Sequence, residues 1–170
     1  MNIFVLSRDP VEAARWQCNK HVIKMILETA QLLSAAHPSD VAPYKHTHVN
    51  HPCSKWTRAS LDNYRWLVEH GIALCSEYTN RYNKSHKTET VMKWLRANEP
   101  DLPKIGLTPF ALAIKDAQYW HEDPVQAYRA YYIGEKARFA EWAPRAHAPS
   151  WWPHAELPCS EPQRGLSSRA

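Results

Sequence analysis

Only four glycines occur in 170 residues, and none falls in a phosphate-cradling loop or a dinucleotide fingerprint. That scarcity also argues against a turn-dense β-sandwich. Gly-x-Ser-x-Gly and His-Glu-x-x-His are both absent, which removes the common serine hydrolase and metalloprotease readings. No apolar run approaches the ~20 residues that a membrane span needs, and no basic lead precedes an apolar stretch at the start. A soluble, unexported, cytoplasmic protein without membrane partners is therefore expected. The four cysteines, Cys18, Cys53, Cys75 and Cys159, form no Cys-x-x-Cys pair and are read as buried thiols rather than staples. No segment calls for a cofactor.

What is abundant is aromatic and basic. Eight tryptophans, eight tyrosines and ten histidines accompany a formal net charge of +4. Aromatic rings interleaved with Lys and Arg can stack bases while neutralising phosphates, although several of these rings fall at helical spacing and belong to the core. The charge balance permits a nucleic-acid partner without requiring one.

The length suits one domain. Met1 to Leu6 reads as a short strand or a buried arm, and strand signals are nearly absent afterwards, so the fold is expected to be mainly α. Asp9-Pro10-Val11-Glu12 and Asp123-Pro124-Val125-Gln126 are helix starts with Asp as cap and Pro at the first position. A long helix is expected around 19–36. A second should begin at a Ser54 cap, bend at Gly71 and continue towards Tyr82. A short one should cover Thr88 to Ala97, and a last one should run from Pro124 through Phe139 to Trp142. Residues 100–122 read as loop with one turn near 110–114. The expected organisation is a compact helical domain over 1–145 and a Pro-rich tail over 146–170. Trp151 and Trp152 should dock that tail, and disorder is expected from Ser160 to Ala170.

Three segments concentrate chemistry. In Asn19-Lys20-His21-Val22-Ile23-Lys24, extended to Glu28, two ammonium groups, an imidazole and a carboxylate share a few helical turns. They suit a phosphate site with proton transfer. Equally, Lys24 and Glu28 read as an i,i+4 pair worth about 0.3–0.5 kcal/mol. In His46-Thr47-His48-Val49-Asn50-His51-Pro52-Cys53, the residues His46, His48, His51 and Cys53 are zinc-type ligands without a familiar spacing. Alternatively Asn50 and His51 contact a substrate, or simply cap the next helix. The third segment, Glu77 to Lys87, offers Arg81, Lys84, His86 and Lys87 as a phosphate-facing rim, or an ion pair and an aromatic pair that close a helix. Arg58 is read as phosphate-facing and Arg65 as a solvated side chain.

An apolar arm Ile3-Phe4-Val5-Leu6, a helix with closely spaced basic residues, and Asn50-His51-Pro52 before an aromatic helix together resemble the pyrimidine-dimer DNA glycosylase (phage endonuclease V) superfamily. The likeness is to an uncharacterised phage and bacterial branch and covers roughly residues 1–90. It implies a compact all-α enzyme that grips duplex DNA, flips a nucleotide and cleaves the glycosidic bond of a modified or damaged base. The chain's α-amine would be the nucleophile and would form a Schiff base. On that reading Met1, His21, Glu28 and His51 carry the chemistry. Lys20, Lys24, Asn50, Arg58, Arg81, His86 and Lys87 hold the backbone. Two features depart from the family pattern: Asn2 is larger than the small second residue of the characterised enzyme, and His21 holds the family glutamate's place while Glu28 follows two turns later. A non-catalytic nucleic-acid-binding protein and a metal-binding protein remain the alternatives.

Overall fold

The computed structural model describes residues 1–153. The expected disorder of Ser160 to Ala170 and the burial of Cys159 lie outside them. Among the described residues there are six α-helices and no strand, as the composition and capping pattern anticipate. These are α1 (Pro10–Arg15), α2 (Asn19–Ser34), α3 (Pro52–Ala59), α4 (Leu61–Tyr82), α5 (Glu89–Ala97) and α6 (Pro124–Lys136).

The two Asp-Pro starts form as expected. Asp9 accepts from Glu12 N and Asp123 from Val125 N, so each carboxylate satisfies a backbone donor that the helix leaves unpaired. Between Pro52 and Tyr82 the chain makes two helices where the periodicity suggested one. Ser60 is extended (φ −153°, ψ 148°), and its hydroxyl caps α4 through Asp62 N. The cap of α3 is His51, whose ring accepts from Cys53 N, rather than Ser54.

Helix α4 runs unbroken through Gly71. Gly71 lies buried where a Cβ would collide with the Met92 methyl and press on Thr29, so the glycine lets α2 and α5 approach α4 closely. Helix α4 is the central element and packs on α1, α2, α3 and α5. The stretch 110–114 carries no helix, and the turn of helix falls later, as a 3-10 turn at Ala117–Tyr119. Helix α6 ends at Lys136, earlier than its aromatic spacing implied. Phe139 and Trp142 belong to the segment that returns over α1 and α2. Trp142 donates to Trp16 O, and Trp142 and Trp152 are buried edge to face.

The N-terminal arm is buried and unpaired with any strand. Ile3, Val5 and Leu6 are at most 2% exposed. Asn2 shapes the arm: its Oδ1 accepts from the N–H groups of Ile3 and Phe4, while its amide donates to Ala113 O at 3.1 Å. The folded-back arm holds Phe4 at φ 55°, a left-handed conformation that a bulky residue seldom adopts. Phe4 is held there by stacking face to face on His21, centroids 4.4 Å apart.

Candidate active site at the start of the chain

The arm delivers the chain start to α2. The Met1 nitrogen lies 3.8 Å from Glu28 Oε2, and the Asn2 N–H donates to the same oxygen at 3.1 Å. Lys24 pairs with the other carboxylate oxygen at 3.1 Å. Glu28 is largely buried, whereas Lys24 is 70% exposed, so the carboxylate points inward and the ammonium outward. Two turns of helix separate Glu28 from His21 in sequence, yet the folded arm brings the amine to Glu28.

Two clefts meet at Met1, Asn2 and Phe4. One, of about 300 Å³, is lined by Lys20, His21, Lys24, Glu28 and, from the far end of the chain, Lys136 and Phe139. The other, of about 600 Å³, is lined by His51, Lys115, Asp116, Tyr131 and Glu135. Thus Lys20, His21, Lys24, Glu28 and His51 share one concave region, with cations on the first side and mixed charge on the second. Asn50 is exposed in the turn just before His51.

His51 accepts at Nδ1 from Cys53 N–H, which leaves the ring proton on Nε2. Partial burial, the chain's amine and His48 lower its pKa, and Glu28 opposes them. His21 has a different character from the one its position in the motif suggests. Its ring is 7% exposed, stacked on Phe4 and bonded at Nδ1 to the Tyr132 hydroxyl, 2.8 Å away. That hydroxyl also accepts from Cys18 N–H, which ties His21 to the residue that precedes α2. Burial, with Lys136 and Lys24 adding like charge, pushes the His21 pKa to about 4. A ring neutral at pH 7 and tied into the core is a poor proton donor, so His21 forms the wall behind Phe4.

Of the residues expected to face phosphate, Lys20 and Lys24 are exposed beside the cleft, with the Lys20 ammonium 5.0 Å from the Phe139 ring centroid. Arg81 is not among them. Its side chain is 2% exposed and is consumed by Glu77 and the carbonyls of Gln17 and Arg15. It is a buried clamp between α4 and the α1–α2 turn. Arg58 is bonded to Ser54 Oγ and Val49 O, which fixes the loop before His51. Arg65 makes a two-pronged surface pair with Glu99. His86 accepts from Thr88 N and lies edge-on to Tyr78, and Lys87 is exposed next to it.

The histidine loop does not build a metal centre: among the described residues no three His, Cys, Asp or Glu side chains are grouped to hold an ion. Cys53 is fully buried, and burial raises its thiol pKa to about 11, so the thiolate that zinc prefers is disfavoured. The residues that sequence reading missed, Lys115, Tyr131 and Lys136, reach the site only through tertiary packing. The one local hint is the spacing of Tyr131 and Lys136 on a single helix, where the ammonium sits over the ring, 4.7 Å from its centroid.

No helix among the described residues is long and apolar enough to cross a membrane. Comparison with curated proteins and with solved structures finds no significant match. The family model for pyrimidine dimer DNA glycosylase, however, matches residues 1–90, the half that supplies the arm, α2 and His51, and the chain belongs to that family.

Proposed function

We propose that the protein is a DNA N-glycosylase with amine-based lyase chemistry, acting on a modified or damaged base in DNA. The observation that carries this reading is the Met1 nitrogen beside the Glu28 carboxylate at 3.8 Å, at the meeting point of a basic cleft and a larger polar one. α-Amines have reference pKa values of about 7.7–8.0, against about 10.4 for lysine, so a useful fraction of such groups is neutral and nucleophilic at neutral pH.

Glu28 takes a proton from the ammonium, and the neutral amine attacks C1′ of the deoxyribose. The nitrogen–C1′ bond forms as the glycosidic bond breaks, its electron pair leaving with the base, which takes the proton that Glu28 accepted. The bound nitrogen then gives up a second proton through Glu28 to O4′ as the C1′–O4′ bond opens, and the protonated Schiff base results. His51, with its proton on Nε2, donates a hydrogen bond to the departing base or to O4′. Lys20, Lys24 and Lys136 hold phosphate oxygens while the nucleotide is out of the stack.

The test is trapping with borohydride on duplexes that carry damaged or modified bases. A covalent adduct whose DNA-linked peptide begins at the chain start is the expected result. Salt-dependent binding with no adduct on any duplex would overturn the chemistry and leave a DNA-binding module.

A further inference from the structure

Helix α2 turns two aliphatic side chains outward. Ile23 is 44% exposed and Leu27 41%, whereas Val22, Met25, Ile26, Ala30 and Leu33 on the same helix are at most 2% exposed. The outward pair is spaced i,i+4, and so are Lys20 and Lys24. At about 100° per residue, the circuit of the helix runs from Ile23 through Leu27 to Lys20 and Lys24 and then to Glu28. An apolar strip, a basic strip and the carboxylate at the amine therefore follow one another within half a turn. On the other side of the strip the Ile23 backbone lies beside the His86 ring, in the loop that carries exposed Lys84 and Lys87. The strip thus adjoins Lys20 and Lys24 on one flank and meets the lysine-bearing His86 loop at Ile23, and through Lys20 and Lys24 it is continuous with the candidate site.

We infer that Ile23 and Leu27 are a wedge that enters the duplex next to the reacting nucleotide, while Lys20 and Lys24 on one side and Lys84 and Lys87 on the other hold the flanking phosphates. The inference rests on the DNA-glycosylase reading above. Two side chains hemmed by cations are far too few for a protein interface, which commonly takes 20–30 residues a side. A lipid surface would need the apolar face that α2 has already buried. Duplex DNA fits both parts of the pattern: phosphates meet the ammonium groups, and aliphatic groups open a base step and occupy the gap left by an extruded nucleotide.

The experiment uses the double variant Ile23→Ser, Leu27→Ser. Both side chains are exposed, and a thermal melt checks that the fold is retained. The probe is a duplex with one thymine cyclobutane dimer and 2-aminopurine in the opposing strand, alongside the same dimer strand set against an abasic gap. Wild type should raise 2-aminopurine fluorescence on binding. The variant should bind with the same salt slope, give no rise, and form the borohydride adduct about tenfold or more slowly on the paired duplex. Against the gap, where no unstacking is needed, that deficit should shrink to about twofold. A deficit equal on both substrates, or none on either, overturns the wedge. So does the absence of a fluorescence rise with wild type, or a variant that changes only self-association. A rise without any adduct would overturn the amine chemistry and leave the wedge standing.

Discussion

The backbone N–H of Asn2 donates to Glu28 Oε2 across 3.1 Å, closer than the Met1 nitrogen at 3.8 Å. Whichever residue supplies the amine, the carboxylate is within reach of it. Mass analysis of the trapped peptide tells whether the adduct sits on Met1 or Asn2. Extending the chain by a few residues before Met1 should abolish turnover and trapping while leaving fold and affinity nearly intact, because an amide nitrogen is not nucleophilic. Full activity of the extended protein would exclude the amine route.

Glu28→Gln keeps the shape of the side chain and removes its proton affinity. Adduct formation should slow by about 10²–10⁴-fold, with DNA binding largely preserved. A variant as fast as wild type would assign Glu28 to holding the arm in place.

Lys24→Ala and Lys136→Ala should each flatten the salt dependence of DNA binding by about one unit of log K against log salt. Titrations between low and moderate salt check this, and an unchanged slope would mean that the side chain faces solvent in the complex.

Arg81→Met should instead act on stability. It strands Glu77 and two carbonyls that the guanidinium now satisfies, and removing one partner of a buried pair costs about 3–5 kcal/mol. Urea unfolding should show that loss. Full stability with weakened DNA binding would restore Arg81 to the phosphate rim.

The contrast between Lys24 and Arg81 shows what was legible in the sequence. Spacing found both, together with the helix caps at Asp9 and Asp123, because capping and i,i+4 pairing are local. Whether a cation faces water or a carbonyl depends on what the fold brings against it, and here the α1–α2 turn covers Arg81. The break at Ser60 was hidden because apolar periodicity continues across it. Lys115, Tyr131 and Lys136 went unread because more than 80 residues separate them from Glu28. The resemblance places the family's glutamate by sequence adjacency, where this chain has His21, whereas the folded arm sets Glu28 beside the Met1 nitrogen.

Acid should weaken the fold through its buried histidines. His70 donates at Nδ1 to Pro10 O, meets the Gln17 amide at Nε2 and is fully buried, and burial pushes its pKa to about 4, as for His21. Above about pH 6.5 these rings are neutral in both folded and unfolded chains and add no pH dependence. As pH falls towards about 4, the unfolded chain takes up protons that the folded one refuses. Stability should therefore drop by up to about 1.4 kcal/mol per pH unit for each ring. Urea midpoints at pH 7, 6 and 5 measure the slope, and His70→Gln should flatten it.

The Asn2 side chain joins the first residues to Ala113, in the segment between α5 and α6. The position of the chain's amine thus draws on a contact made 111 residues away. A fragment ending near residue 90, although it spans the family match, would lack the anchor that positions its own amine. On the proposed amine route, a chain cut off partway would carry Met1 and Glu28 without one of the contacts that hold the arm, so its adduct formation should be weaker than that of the full chain.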